Sequence, residues 1–559
     1  MDTEEVLPLL EPPGEFEANA YYWSFPSRPR LIGRTSAGTT PWWRLSEKPA
    51  DYSVFWGEYS GLDTATMCGP VGRHRIHACW QAKTLNRVCA ALEGLSWTSI
   101  DVMRIGRTEL QECQRPIIVW VGVSATALAK LSAPWPLIAS KLRAVRLALD
   151  ADGLTDVECE MRKSELILTV DDASPRLLEP RRGADRQGSS SSELLATLAV
   201  STAVGQAISP AHYQSSTGTL GLYLATKNEP GKKRQDDAAV WALTCHHVVF
   251  PAGGQRTTPP AVMMLPTTAV LDDALSTINM EISEARDSIA GARPRNAQTP
   301  DETLTWQVAQ RRLHRGTQLL RVLSSFQASD EARVLGHVHH SPPRGVNNAK
   351  GEPAYTRDWA LIALDRAKFP AAYRLENVVD LEMETSRKLH KLINTHIRSV
   401  AGAPKPVYNF PPDKLIRLQG IVPVSEMLGR PPAHNLLATH DGDPHLIVMK
   451  RGYTSEVTAG VVLDIQSVTR HFSGSREVRS HELTVMHISG QRAIGDSTVN
   501  NFSGPGDSGA IVFDLKGRIV GMLTGGSGGH GQIDTTYVTP FKYLQDDIER
   551  ALKRPIRLP

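Results

Sequence analysis

The stretch Ser503-Gly504-Pro505-Gly506-Asp507-Ser508-Gly509-Ala510 carries more information than any other part of this 559-residue chain. It is followed by an apolar run, residues 511–513, and then by a Lys-Gly turn at residues 516–517. Glycines around Ser508 allow the backbone to bend sharply, so that its N–H groups can point at an oxyanion instead of joining a β-ladder. The stretch therefore predicts a serine in a tight turn before a buried strand.

Two upstream segments contain the residue types that a nucleophilic serine needs as partners. Residues 241–250 read Trp-Ala-Leu-Thr-Cys-His-His-Val-Val-Phe, an apolar strand pattern interrupted by two histidines. Residues 358–365 read Asp-Trp-Ala-Leu-Ile-Ala-Leu-Asp, in which an acid opens an apolar strand. A serine hydroxyl becomes a good nucleophile when an imidazole takes its proton, and a carboxylate fixes the tautomer of that imidazole.

The three segments resemble the motifs of chymotrypsin/trypsin-like serine peptidases, which are L-T-A-A-H-C, D-[IV]-A-L-[LI]-x-L and G-D-S-G-G in that chain order. Position by position, the resemblance implies that His247 is the general base, Asp358 the orienting acid and Ser508 the nucleophile of an acyl-enzyme mechanism. It also implies an oxyanion hole formed by the backbone N–H groups of Gly506 and Ser508. Asp365 lies past its strand and is expected to be solvated.

Three features depart from the family pattern. Ala510 replaces the last glycine of the serine motif, and Val248 replaces the cysteine after the histidine. Because Cys245 is the last cysteine of the chain, the family disulfide beside the histidine cannot form within this part. The intervals between the three catalytic candidates also exceed those of a compact trypsin, so insertions must fill them.

Two insertions can be recognised from their patterns. The first, near residues 268–325, has apolar residues at helical spacing in two stretches separated by prolines, which predicts a helical hairpin. The second, residues 370–440, combines a helix-like stretch with proline-rich loops. Both are expected to be surface elaborations of the barrel, and the alternative is a lid or a partner-docking arm.

The resemblance also places a specificity pocket beside the serine. Phe502 lies at the position of the pocket floor, where peptidases that cleave after Lys or Arg carry an aspartate. Thr524, Gly525 and Gly526 match the pocket-wall strand, and the two glycines would leave this wall open for pairing with a substrate backbone. An apolar or small residue before the scissile bond is expected, and the alternative is that Phe502 fills the pocket and leaves it shallow.

Further segments extend the resemblance to residues 205–550. Residues 449–460 resemble the segment that opens the second barrel in intracellular trypsin-like proteins, and a helix expected from Phe541 to Leu552 matches the way such domains close. The implied fold of this part is an all-β double β-barrel of the chymotrypsin-like type with helical insertions. Many short alternating segments punctuated by Gly and Pro agree with that class.

The N-terminal part divides into three by composition and pattern. Residues 1–70 are expected to be an extended segment, residues 71–175 a small α+β domain of unknown role, and residues 176–204 a linker rich in Gly, Ser and charges. Within the domain, the order β-α-β-β-α-β, beginning with a strand at residues 75–80, indicates a ferredoxin-like topology. That fold hosts many functions and implies none of them.

Composition limits the remaining possibilities. A hydrophobic fraction of 41% is typical of a globular chain, and a net charge of +3 does not favour nucleic-acid or membrane binding. The acidic N-terminus lacks the pattern of a signal peptide, and the six cysteines without CxxC spacing indicate buried thiols in a reducing compartment. We therefore expect an intracellular, cytoplasmic protein without cofactor or metal. The resemblance implies that its partner is a protein or peptide substrate.

Two alternatives remain open at this level. In secreted family members a freed N-terminal amine pairs with the aspartate before the serine, here Asp507. Either backbone groups or a local basic side chain replace that amine, which we favour, or the chain is an inactive precursor. The predicted function is that of a serine endopeptidase. The other candidates are a catalytically latent or inactive scaffold for protein–protein interaction and another acyl-transfer hydrolase such as an esterase.

Overall fold

A computed structural model describes residues 10–22, 24–38, 66–107, 110–167, 201–211, 216–226, 240–251, 261–264, 268–291, 300–327, 329, 331–346, 354–365, 369, 375–381, 383–397, 407–428, 445–473, 476–488, 501–529 and 532–559. Over these residues the protein is mixed α/β, with a 13-stranded sheet, an 8-stranded sheet and two 2-stranded sheets. Most of the predicted linker, residues 176–200, lies outside the described residues.

The part up to residue 167 alternates helices with strands. Its helices are α1 (Glu15–Ala20), α2 (Ile76–Cys79), α3 (Leu85–Ala91), α4 (Ala125–Leu128) and α5 (Pro134–Asp150). Its strands are β1 (Leu31–Arg34), β2 (Thr66–Gly69), β3 (Trp97–Arg107), β4 (Ile117–Val123), β5 (Val157–Lys163) and β6 (Glu165–Ile167).

The part from residue 201 is dominated by strands. These are β7 (Ala207–Pro210), β8 (Gly218–Thr219), β9 (Leu222–Thr226), β10 (Val240–Thr244), β11 (Ala261–Met264), β12 (Val334–His340), β13 (Gly345–Val346), β14 (Thr356–Arg357), β15 (Ala360–Leu364), β16 (Val378–Asp380), β17 (Leu415–Arg417), β18 (Ile447–Gly452), β19 (Glu456–Val462), β20 (Ser467–Ser473), β21 (Arg476–His487), β22 (Ile511–Asp514), β23 (Ile519–Gly529), β24 (Gln532–Pro540) and β25 (Ile556–Arg557). The helices are α6 (His246–Val249), α7 (Thr268–Gly291), α8 (Pro300–Gln327), α9 (Met383–His396), α10 (Val424–Leu428) and α11 (Phe541–Leu552).

The strand order of the N-terminal part differs from the ferredoxin-like prediction. Strands β1, β5, β4 and β3 lie side by side in this order, and β2 also pairs with β3. The neighbours β4 and β5 are parallel and are connected through α5, whereas β3 and β4 are antiparallel. Because a split β-α-β unit has another strand between its two parallel strands, the ferredoxin-like prediction is wrong.

The start of this part is helical where a strand was expected. Residues 75–80 contain α2, which continues into a π-helical turn, Trp80–Thr84, and then into α3. The side chains of Ile76 and Trp80 are both buried, whereas Ala78 between them is exposed. Residues four apart share one face of a helix, but a strand would place all three on the same face. The apolar residues of this segment thus follow the helical period and not the period of a strand.

Residues 10–38 also differ from the extended segment that was expected. They contain α1 and β1, and β1 pairs with β5 at the edge of the sheet. The rings of Tyr22 and Phe25 contact Trp120 of β4 edge-on or tilted, and all three side chains are buried. This segment is therefore part of the packed N-terminal unit.

The strands of the C-terminal part form two groups. In one sheet the order is β25-β9-β10-β15-β12-β11-β7-β8. In the other, the pairings run β21-β19-β18-β22-β23-β24 and return to β21, because β24 also pairs with β21. One hydrophobic core extends over both groups, and it includes Leu243 of β10 and Val512 of β22.

The N-terminal strands continue directly into the second of these groups. β3 pairs with β20, with Ile100 opposite Val468, and β6 pairs with β23. The two parts that the sequence predicts as separate domains thus share one 13-stranded sheet.

The first insertion is a helical hairpin, as predicted. α7 and α8 pack on each other through a small core of their own, which includes Ile278, Ile282 and Leu323. Gly316 lies at the closest approach, because a Cβ there would come within 2.9 Å of Ile282. The hairpin is inserted between β11 and β12.

Other predicted elements are confirmed with nearly the expected bounds. The C-terminal helix α11 spans Phe541–Leu552, and α5 spans Pro134–Asp150.

The six cysteines are all among the described residues, and none forms a disulfide. The prediction of buried thiols holds only for Cys159 and Cys245, since Cys113 is exposed and the other three are partly exposed. Among the helices that the structure describes, none is long and apolar enough to cross a membrane.

Candidate active site

Antiparallel pairing of two strands brings the predicted base and acid together. Thr244 at the end of β10 lies opposite Ala360 at the start of β15. His247 follows β10 in the short helix α6, and Asp358 precedes β15. Nδ1 of His247 lies 2.7 Å from Oδ2 of Asp358, and the backbone N–H of His247 donates to Oδ1 at 3.0 Å. The carboxylate therefore holds both the ring and the backbone of His247.

Ser508 reaches the same point from the other strand group. Its Oγ lies 2.8 Å from Nε2 of His247. Thr219 donates its N–H to the Ser508 carbonyl at 2.7 Å, and the hydroxyl of Thr219 donates to the Gly506 carbonyl at 2.9 Å. All three predicted catalytic residues thus meet within hydrogen-bonding distance, and each of them is buried.

The loop that holds Ser508 is fixed by its own backbone. Gly506 and Gly509 both have positive φ angles, 97° and 94°, which favour glycine. The N–H groups of Asp507, Gly509 and Ala510 donate to Gly504, Leu523 and Asp507, respectively. Gly506 and Ser508, whose backbone N–H groups are predicted to form the oxyanion hole, lie within this loop.

Arg344 is a fourth residue of the site, and the sequence analysis did not identify it. Its Nε lies 3.0 Å from Oδ2 of Asp358, as an ion pair without hydrogen-bond geometry. Burial alone would raise the pKa of Asp358, but the charges of His247 and Arg344 and the hydrogen bonds from His247 outweigh it and hold that pKa well below its usual range. No local motif marks Arg344, because it precedes β13 and reaches Asp358 only through the β13–β14 hairpin.

Asp507, the residue before Ser508, has a buried cationic partner. Nζ of Lys450 lies 3.2 Å from Oδ2 of Asp507, and both side chains are fully buried. The N–H groups of Thr454 and Ser455 donate to Oδ1 at 2.9 and 3.2 Å, and the N–H of Gly504 donates to Oδ2 at 2.9 Å. The favoured prediction, that backbone groups or a local basic side chain satisfy Asp507, is therefore confirmed, and both kinds of group contribute.

Phe502 packs into the core and does not line an open pocket. Its side chain is 2% exposed and belongs to the main hydrophobic core. The ring lies on the backbone of Gly460 in β19, where a Cβ would come within 2.7 Å of it. The alternative prediction, a pocket that Phe502 fills, agrees with this packing.

The wall strand differs from its prediction. Thr524, Gly525 and Gly526 lie in β23, which pairs with β24 along one edge. On the opposite edge, Gly526 lies opposite Ile167 of β6, and Gly528 lies opposite Glu165. The wall expected to be open for a substrate backbone is thus covered from Gly526 onwards by a strand of the same chain.

Cys245, His247 and Asp358 together have the ligand types of a metal site. Their nearest ligand atoms all lie within 4.8 Å of one another. Both ring nitrogens of His247 already face Asp358 and Ser508. The thiol of Cys245 donates to the Leu523 carbonyl at 3.3 Å, and burial raises the pKa of this thiol, so that it stays protonated. Hydrogen bonds of the triad and its surroundings account for this cluster without a metal.

No protein-family model matches the chain, and no curated protein matches it with significance. The case for function therefore depends on the motifs and on the geometry of the site.

Proposed function

We propose that this protein is a serine endopeptidase of the chymotrypsin-like type. The observation that carries the proposal is the chain of contacts from Asp358 through His247 to Ser508, with distances of 2.7 and 2.8 Å. The two groups of strands, one of which closes on itself through β21 and β24, support a double β-barrel.

The triad residues have distinct roles in this mechanism. Asp358 accepts the Nδ1–H of His247, so that Nε2 is free of its proton and accepts the hydroxyl proton of Ser508. Ser508 Oγ then attacks the substrate carbonyl and forms an acyl-enzyme, and His247 passes the proton to the leaving amine. The amides of Gly506 and Ser508 would stabilise the oxyanion, and loss of one such donor costs about 2.7–4 kcal/mol of barrier.

The substrate is proposed to be a protein or peptide with an apolar or small residue before the scissile bond. The ring of Phe502, packed in the core, would fill the pocket and leave it shallow, which favours a small or apolar residue, and no acidic residue stands at this position to attract Lys or Arg. We also propose an intracellular, cytoplasmic location, which the free thiols support.

A fluorophosphonate probe tests the proposal directly. The purified full chain should be labelled, and Ser508→Ala and His247→Ala should each abolish labelling. Ser503→Ala is the matched control in the same loop, because its hydroxyl bonds to Thr536 at 2.6 Å instead of to the triad. Folded wild type that is not labelled at all would contradict an assembled nucleophile and favour the scaffold function.

A further inference from the structure

The edge of β23 that does not pair with β24 contacts three partners one after another along the strand. Their order determines which part of this edge a bound peptide could use. β22 pairs with β23 as far as Met522. Next, the Leu523 carbonyl accepts the N–H of Gly509, and the N–H of Leu523 donates to the Ala510 carbonyl, both at 2.9 Å. Gly509 and Ala510 directly follow Ser508. β6 then covers Gly526–Gly528. At about 3.3 Å per residue, Gly526 lies roughly 10 Å along the strand from Leu523.

β6 runs along β23 in the antiparallel sense that would bring the C-terminal end of a paired peptide to Ser508. β6 is antiparallel to β23, with Glu165 opposite Gly528 and Ile167 opposite Gly526. Its chain therefore runs towards Leu523 and the nucleophile loop. An extended peptide recognised by strand addition on this edge would need the same backbone hydrogen bonds of β23.

Glu165, the first residue of β6, and Arg162, in the preceding strand β5, hold β6 in this position. The Glu165 carboxylate accepts the N–H of Ala125 at 2.8 Å and the hydroxyl of Ser124 at 3.0 Å, at the start of α4. Arg162, fully buried, lies 3.2 Å from Asp101 and 3.3 Å from Asp534 of β24. It also donates to the hydroxyl of Ser527 in β23 at 3.0 Å. Contacts with α4 and with strands β3, β23 and β24 thus hold β6 at this edge.

We propose that β6 is a tethered ligand of the active site, which occupies the strand edge on which peptide substrates pair, so that a substrate must displace Glu165–Ile167 before it is cleaved. This inference rests on the proposed peptidase function for its consequence, but the occupancy of the edge can be tested without catalysis. A tether confers a high effective concentration, and the chain's own strand therefore competes strongly with added peptides.

A pair of variants of the full chain separates the backbone from the side chains of β6. In an antiparallel ladder the N–H groups of adjacent residues face opposite sides, so one of residues 166 and 167 must donate to β23. Leu166→Pro/Ile167→Pro removes that donor, whereas Leu166→Ala/Ile167→Ala keeps it. Both variants are labelled with a small fluorophosphonate, which needs only Ser508, and with a tetrapeptidyl diphenylphosphonate, which also needs the strand edge.

We expect the Pro/Pro variant to react about tenfold faster with the peptidyl probe than the Ala/Ala variant. Rates with the small probe should be equal, which also shows that the Pro/Pro variant is folded. Equal rates with the peptidyl probe would overturn the proposal. Glu165→Ala is a milder second variant, which removes the anchor at α4 and should shift the ratio of the two rates in the same direction.

Binding of a fluorescent peptide with the sequence of residues 161–167 is the test that does not depend on catalysis. In fluorescence anisotropy, this peptide should bind the Pro/Pro variant and bind the Ala/Ala variant at least tenfold more weakly. Absence of binding to the Pro/Pro variant, or equal binding to both, would contradict the occupancy. If neither variant reacts with the small probe but the peptide discriminates between them, the peptidase proposal fails and the occupancy stands.

Discussion

Lys450 and Asp507 form a fully buried ion pair, with 3.2 Å between Nζ and Oδ2, next to the proposed nucleophile Ser508. Lys450 also donates to the Glu456 carbonyl at 2.9 Å, within the β18–β19 hairpin. Burial lowers the pKa of Lys450, and the charge of Asp507 opposes this effect. The side chain thus supplies the cation that the resemblance assigns to a freed N-terminal amine, and it does so without a cut in the chain.

Lys450→Met is expected to destabilise the fold and to disorder the serine loop. Removal of one partner of a buried pair leaves the other charge uncompensated, which costs about 3–5 kcal/mol. Urea unfolding should show this loss, and fluorophosphonate labelling should fall with it. The double variant Lys450→Met/Asp507→Asn removes both charges of the pair and should recover part of the free energy of unfolding that the single variant loses. Equal stability of the single and the double variant would contradict the role of the pair.

Asp358→Asn is expected to abolish most of the activity while the fold is kept. Asn has a single acceptor oxygen, and with this oxygen on the backbone N–H of His247 its NH2 group faces Nδ1. The ring then adopts the wrong tautomer, and kcat should fall about 10⁴-fold. Asp365→Asn is the matched control, since Asp365 is an exposed acid at the other end of β15. A similar loss of labelling in both variants would show that the effect is not specific to the triad.

Arg344→Gln is expected to move the acid limb of the pH–rate profile to higher pH. The guanidinium lies 3.0 Å from Asp358 Oδ2 and offsets part of the negative charge that stabilises an imidazolium at His247. Without this cation, the protonated base is more stable and a higher pH is needed to free it. The rate of fluorophosphonate labelling between pH 5 and 9 measures the limb, and Arg357→Gln, a nearby arginine paired with Asp547 at 3.1 Å, should leave it in place.

Glu482→Gln is expected to stabilise the protein at alkaline pH. Burial raises the pKa of Glu482 to about 7, against hydrogen bonds from Thr356 and Thr539 that lower it, whereas the ordinary value is 4.5. Between these two values the native state holds a proton that the unfolded chain has lost, so stability falls as the pH rises through this window. Wild type should therefore be less stable than the variant by about 3 kcal/mol above pH 8 and equally stable near pH 4. Thermal unfolding at the two pH values measures this, and a constant difference would contradict it.

The parts of the site that could be predicted are those with local signatures. The motifs around His247, Asp358 and Ser508 lie at strand ends, and strand pairing brings such ends together. The helical hairpin and α11 were predictable because their apolar period is local. Lys450 was not identified, although a basic partner for Asp507 was expected, because the choice among nearby cations depends on how the β18–β19 hairpin packs.

Features that depend on distant pairings could not be predicted. Arg344 and β6 reach the site from elements without a motif, and β6 pairs with a strand about 360 residues further along the chain. The predicted topology of the N-terminal part was wrong for a related reason. The choice of strand neighbours for β4 and β5 depends on how α5 packs across the sheet, and the periodicity of each segment does not specify this packing.

The Asp101–Arg162–Asp534 cluster has a consequence for the integrity of the molecule. Asp101 of the N-terminal part and Asp534 of the C-terminal part share the guanidinium of Arg162, which has no exposed surface. The pairing of β3 with β20 also joins the N-terminal part to the C-terminal part. A nick anywhere between residues 168 and 200 would cut the chain without separating the pieces, which would co-elute under native conditions and part only in denaturant. Residues 205–559 produced alone would bury Asp534 without its cation and would expose bare strand edges, so the serine-bearing half is expected to need its N-terminal half as a folding partner in trans.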